Sequence, residues 1–153
     1  MFVEDSRAFL SADYLPKIER SLEALTDEDI WWRANDESNS IGNLLLHLEG
    51  STRGWILDTA GGSNSQRNRQ QEFDERRQIP ASELLARLKR TLAEADDVLA
   101  RLTMEELLER RKSAYEEVTV LWAVYHAVEH FAMHTGQIIM LAKMRSKGLR
   151  LTD

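Results

Sequence analysis

Residues Leu121–Lys143 read LWAVYHAVEHFAMHTGQIIMLAK, and the spacing of their histidines decides the fold. His126, His130 and His134 recur every four residues. In an α-helix that spacing keeps them on one face, each about one turn beyond the last. On a wheel of about 100° per residue, their arc also takes in Ala123, Ala127, Gln137 and Leu141. Leu121, Tyr125, Val128, Ala132 and Ile139 occupy the opposite arc, with Glu129 and Lys143 as charged exceptions. A helix apolar nearly all round is buried on more than one side, in a bundle interior or against a second subunit. Glu116 and Glu117 suit its N-terminus, and the bases from Lys143 to Lys147, ahead of Gly148, suit its end.

Working outward, three more helices come into view. The first spans about Glu4 to Leu25, with Phe9, Leu10, Tyr14, Ile18 and Leu22 at helical spacing. Pro16 should kink or split it, because proline has no N–H to give the preceding turn. Ser38-Asn39-Ser40 offers N-cap residues for a second helix to about Thr59, which buries Ile41, Leu44, Leu45, Leu48, Trp55 and Ile56. Gly61-Gly62 stops it. Ser63 to Gln78 is almost wholly polar and reads as a long crossover loop. Either half alone would be too small to fold, so residues 1–153 form one domain. Pro80 fits the first turn of a third helix with a stripe from Leu84 to Leu102, and Thr103 to Glu109 adds a short acidic turn. Sustained period-2 alternation and Asn-Gly or Asp-Gly hairpin signals are lacking. The expected fold is all-α, a four-helix bundle with the long crossover between helices 2 and 3.

Composition narrows the chemistry. With 153 residues and a net charge of -6, the chain suits one core and is of the wrong sign to hold a phosphate backbone. No nucleic-acid partner is expected. Nor is a membrane, since no apolar run approaches the roughly 20 residues that span a bilayer. Glu4 and Asp5 stand where a signal peptide carries bases, which points to a cytoplasmic protein. The chain has 0 cysteines, so any metal is held by nitrogen and oxygen, and any thiol comes from another molecule.

Three imidazoles on a buried apolar helix need partners. Histidines four apart can share one metal ion, and a third ligand must come from another helix, where His47 lies between Leu44 and Leu48. Three neutral imidazoles leave a tetrahedral position open, the pattern of catalytic zinc. Which two of the three helix histidines bind stays open on spacing alone. His126-Ala127-Val128-Glu129-His130 spells the H-x-x-E-H protease pattern, but too little chain follows for its further acidic ligand. A di-iron bundle would need Glu-x-x-His pairs, which are missing.

Two segments carry a resemblance. Ser38-Asn39-Ser40-Ile41-Gly42-Asn43-Leu44-Leu45-Leu46-His47-Leu48 resembles the second-helix motif of the DinB-like superfamily, and His126 through Ile138 resembles its fourth-helix motif. The similarity extends over essentially the whole chain, including Pro16-Lys17-Ile18-Glu19 and Trp31-Trp32, and is closest to a branch of unknown function. It implies an up-down-down-up four-helix bundle, usually a homodimer, with zinc or nickel on three histidines. By position these are His47, His130 and His134. His126 becomes a pocket residue beside the site, and Asn43, one turn before His47, would orient it.

The resemblance also implies candidate activities. Relatives include S-transferases that use low-molecular-weight thiols such as bacillithiol or mycothiol, a maleylpyruvate isomerase, and proteins described as metal-dependent hydrolases. Thiol transfer to a small electrophile leads here, with the metal lowering the pKa of an external thiol. Hydrolysis by a metal-bound water is the alternative and would need a base, for which Glu129 and Glu49 are nearest in sequence. A non-catalytic metal-binding scaffold dimer is the third reading. Trp31, Trp32 and Trp55 read as core aromatics, and Arg67, Arg69, Arg76 and Arg77 as a solvated loop.

Overall fold

The computed structural model describes residues 1–146. The last helix, expected to end between Lys143 and Lys147, ends at Arg145; Lys147 and Gly148 lie outside the described residues. Helix α1 is one continuous column made of Phe2–Ala8, a π-helical stretch Phe9–Tyr14 and Leu15–Leu22. Pro16 therefore does not split it. A proline ring crowds the carbonyl four residues back, and the wider π turns just ahead of Pro16 accommodate it without ending the helix. The short helix α2, Asp27–Trp31, opens on a capping box between Thr26 and Asp29.

Helix α3 comprises Ile41–Thr52 and a π-helical Arg53–Ala60. Ser40 caps it, its hydroxyl accepting from the Asn43 N–H at 3.1 Å. Gly62, at φ 77°, turns the chain away after Gly61 in a left-handed conformation that glycine adopts freely. The crossover is not all loop: Arg69–Asp74 forms a short helix, α4, capped by Asn68. Helix α5, Ala81–Leu99, follows Pro80, and α6, Met104–Leu108, opens on a second capping box at Thr103.

The expected start of the last helix at Glu116-Glu117 is corrected. Glu117–Thr119 is strand β2, paired antiparallel with β1, Arg110–Lys112, in the register Arg111 opposite Val118. Ser113 closes the turn between them, donating to the Glu116 carbonyl and accepting from the Tyr115 and Glu116 N–H groups. Val118 is buried in the strand, and Thr119 caps helix α7, Val120–Arg145.

Contacts between columns set their directions. Arg7, near the start of α1, binds Asp96 near the end of α5 at 2.6 and 2.8 Å, so these run oppositely. Tyr14 stacks on Phe131, and Arg145 binds Asp29 just beyond α1, so α1 and α7 run the same way. The Trp55–Trp122 and His47–His134 ring contacts make α3 antiparallel to α7. Arg53 donates to Thr91 at 2.9 Å, while Val98 lies beside Gly61, so α3 and α5 are parallel. The fold is all-α in its architecture, up-down-down-up, and the crossover makes the parallel α3–α5 pair possible.

Ile18, Leu44, Leu48, Leu88, Ala95, Phe131 and Ile138 fill the centre, each large apolar side chain contributing about 1.5–3 kcal/mol by its burial. The burial expected on more than one side of α7 is met on one side within this single chain: Tyr125 is 59% exposed and Met140 66%, with Leu121, Met133 and Met144 also exposed, so one side of α7 is bare.

Candidate metal centre

His47 comes from the middle of α3, and His130 and His134 from the middle of α7. Antiparallel packing of those helices brings the rings together. The His47 and His130 Nε2 atoms lie 3.1 Å apart, as do those of His130 and His134. One ligand atom from each histidine falls within 4.8 Å of the others. His47 and His134 are buried, and His130 is partly open.

The other ring nitrogens decide where the protons sit. His47 Nδ1 meets the Glu72 carboxylate at 2.7 Å, and His134 Nδ1 meets Gln137 Oε1 at 2.6 Å. Both oxygens are acceptors, so each of those Nδ1 atoms carries the proton and each Nε2 presents a lone pair. His130 Nδ1 faces the Ser51 hydroxyl at 3.3 Å. Burial pushes His130 down to about 3, helped by the neighbouring histidines and Arg67, and burial lowers His134 as well, against the upward pull of Gln137. Both are neutral at physiological pH, which is the ligating form. With the His130 proton on Nδ1, against Ser51 Oγ, all three Nε2 lone pairs converge and repel unless a cation lies between them; with it on Nε2, His130 donates to a neighbouring ring and gives up that proton when a metal binds. The donor set fits a divalent ion preferring imidazole.

Glu72 was not among the expected site residues. It arrives on α4, where Arg67 Nε and Nη2 donate to its two oxygens at 2.6 and 2.9 Å. Burial pushes the Glu72 carboxyl up, but hydrogen bonds from Arg67 and His47 more than offset this and hold it below the ordinary carboxylate range. Arg67 is thus no solvated loop residue: its side chain is 14% exposed. Gly50 makes room for this pair, since a methyl group there would overlap the Glu72 carboxylate and crowd Arg67 Nε. Gly50 and Gly54, one turn apart in an otherwise apolar helix, were the available sequence signal for such a close approach. Gln137, three residues beyond His134, was legible as a local partner, whereas Ser51 meets His130 on another helix, 79 residues away.

The remaining expected residues fall as follows. The Asn43 side chain makes no hydrogen bond to His47. It is buried and clamps α4, its Nδ2 donating to the carbonyls of Glu72 at 2.9 Å and Glu75 at 3.1 Å. His126 stays outside the triad, stacked on Trp122 at 4.9 Å and edge-on to Trp55 at 4.8 Å, its ring centre 5.6 Å from that of His130. Trp31 packs over Gly42 and donates to the Ile79 carbonyl at 2.9 Å. Trp32 lies under the Arg145 guanidinium. Glu49 is engaged by Arg53 and Thr91 on the α5 side, and Glu129 is exposed beside His126, so neither reaches the triad. Arg76 and Arg77 are exposed, as expected.

Residues 2–149 match the family described as Protein of unknown function (DUF1572). Among solved structures, the fold is similar to a DinB-like protein of Bacillus cereus ATCC 10987, with a TM-score of 0.70, 14% identity and 95% of each chain covered. It is also similar to the DinB-like protein YjoA of Bacillus subtilis, with a TM-score of 0.67, 17% identity, and 97% of this chain and 95% of that one covered. At these identities the likeness shows a DinB-like fold. Among curated proteins none matches. No helix among the described residues is long and apolar enough to cross a membrane.

Proposed function

The chain belongs to the DUF1572 family, and from that premise we propose that it is a divalent-metal protein that transfers an external low-molecular-weight thiol to a small electrophile. The observation that carries this reading is the convergence of three histidine Nε2 atoms whose rings each meet a partner behind them at Nδ1. Zinc and nickel both suit imidazole. When bound, such an ion supplies the Lewis acidity that lowers the pKa of a thiol.

The chain's own residues do the rest. Glu72, Ser51 and Gln137 hold the ligand rings, and Arg67 balances the Glu72 charge. The His130 side of the triad opens into a cleft, leaving access for thiol and electrophile. With 0 cysteines in the chain, no internal thiol competes. Hydrolysis ranks second, because the two carboxylates nearest in sequence to the ligands, Glu49 and Glu129, point elsewhere. A cytoplasmic setting suits thiol chemistry, since that compartment keeps small thiols reduced.

The test is metal content by mass spectrometry on untagged protein purified without chelator or nickel resin. The cobalt-substituted protein is then titrated with a small thiol. About one zinc or nickel per chain, and a thiolate-to-cobalt absorption band, are expected. Metal without the band favours the hydrolase or scaffold reading. Failure to take up either ion returns the histidines to the core.

The partner we propose is a second copy of the chain, docked through the bare face of α7. Gly136 sits in the middle of that face with nothing within 4 Å of where a Cβ would be, which lets another helix approach closely. Glu129 and Lys143 each lie seven residues from Gly136, about 10.5 Å along the axis. A two-fold axis beside Gly136 therefore sets Glu129 level with Lys143 of the other copy, twice over. In sedimentation experiments Glu129→Lys should yield monomers and Glu129→Lys with Lys143→Glu should restore the dimer. A dimer indifferent to both would rule out this face.

A further inference from the structure

The open side of the triad leads somewhere specific. An inner space of about 280 Å³ has His47, His130, His126 and Trp55 in its walls. An outer one of about 610 Å³ lies between the second half of α3, the start of the crossover and the β1–β2 turn. Trp55, Arg67, Arg69 and Tyr115 line both, so the two form one cleft of a size usual for small organic ligands.

Its walls are of two kinds. Trp55 stands at the centre of an aromatic cluster, with Tyr115, Trp122 and His126 at ring distances of 6.0, 5.3 and 4.8 Å. Cations line the cleft as well, Arg67 and Arg69 from the crossover and Lys112 from the hairpin. Arg67 is engaged by Glu72, but neither Arg69 nor Lys112 has a carboxylate within ion-pair reach among the described residues. Arg69 is held at the mouth by stacking over Phe73 at 4.8 Å. Of the acids nearby, Asp58 has both oxygens taken by the Ser65 N–H and hydroxyl, and Glu116 lines the inner space but not the outer one that Arg69 and Lys112 share.

We infer that this cleft binds an organic acid with a flat, conjugated body: the body lies against Trp55 and Tyr115, and the acid group meets Arg69 and Lys112. The ligand's other end then reaches the triad, and only that last step rests on the metal reading. Unpaired cations on a cavity wall attract an anion, and the low-dielectric aromatic wall strengthens that attraction. The rings supply the apolar area that a flat body covers.

The probes are 2-naphthoate and its neutral counterpart 2-naphthamide, followed by quenching of tryptophan fluorescence in zinc-loaded and in chelator-treated protein. The acid should bind about tenfold more tightly than the amide, as a charge-assisted hydrogen bond allows. The double variant Arg69→Gln, Lys112→Gln should erase that preference while leaving zinc content unchanged. Tyr115→Ala, at an exposed position, should weaken both probes. Equal binding of acid and amide, or no quenching by either, overturns the inference. So does a preference that survives the double variant and disappears on zinc removal, because the acid would then be coordinating the metal. An Arg69-dependent preference in protein that takes up no metal would keep the cleft and defeat the metal reading. Zinc-loaded protein without a preference would do the reverse.

Discussion

Helix α7 and the crossover reach His47 from opposite sides, and different physics holds each in place. α7 carries His130 and His134 on a column whose Val124, Ala127, Phe131 and Ile138 are buried. Its position follows from cumulative apolar burial, which is non-directional and large. The crossover carries Arg67 and Glu72 around α4, a helix with no buried residue. It is held by hydrogen bonds from Asn43 to the Glu72 and Glu75 carbonyls and from Trp31 to the Ile79 carbonyl. Such bonds contribute about 0.5–1.5 kcal/mol each. The ligands are thus set by the fold, and the charge behind them by a separable clasp.

If that contrast holds, the two sides fail differently. Phe131→Ala should have the largest effect on the fold, costing about 3–5 kcal/mol as a fully buried ring is lost. Thermal unfolding should fall by roughly 10 °C or more. A melting temperature within a degree or two of the parent would mean that α7 is not held by its core face. Next, His47→Ala and His130→Ala should strip most of the metal while circular dichroism keeps the helical signal. His126→Ala should lose far less, because its ring sits against Trp122 and Trp55 and outside the triad. Metal loss in the reverse order would put His126 among the ligands.

The same contrast explains what could be read from the chain itself. The helical histidines and the cap at Ser40 are local patterns, set by a 3.6-residue period and by side chains within three or four positions, and they appear where that period puts them. Glu72 meets His47 across 25 residues, from the middle of α3 into the polar crossover, and no periodicity links the two. The crossover looked solvated because its residues are individually polar, and burial of Arg67 depends on Glu72, Asn43 and the Gly50 notch together. The β1–β2 hairpin went unforeseen for a related reason: three-residue strands closed by a Ser113 turn lack both alternation and a glycine turn signal. The exposed face of α7 is the converse case, where composition demands a cover that one chain does not supply.

Substitutions on the crossover side should leave the fold and weaken the site. Glu72→Gln keeps an acceptor for His47 but removes the charge that balances Arg67. Zinc affinity should fall about 10–100-fold, as for other partners of ligating histidines, with the unfolding midpoint little changed. Gly50→Ala should reproduce that loss by displacing the same carboxylate, and an unchanged affinity in both would detach Glu72 from the site. Acid should act in the same direction. His130 is held at about 3 in the folded chain against 6.5 ordinarily, so below about 6.5 protons bind the unfolded chain preferentially and stability declines until about pH 3. Glu72, lowered in the fold, adds a loss as its own carboxylate is protonated at the acid end. A metal-free protein equally stable at pH 7 and pH 4 would contradict the buried triad.

The smallest effect belongs to the bend that turns Arg67 inward. Gln66 has φ 51°, a left-handed conformation that costs a side-chain-bearing residue roughly 1 kcal/mol. Gln66→Gly removes that cost in the folded state but adds freedom to the unfolded chain, worth about 0.5–1 kcal/mol. The two nearly cancel, so denaturant unfolding should shift by less than about 1 kcal/mol. Zinc affinity is the more telling readout. If the clasp owes its shape to Asn43 and Gly50, glycine at 66 leaves affinity where it was. A several-fold fall would instead mean that the stiffness of this one residue helps to press Arg67 and Glu72 against His47, and that the bend belongs to the site.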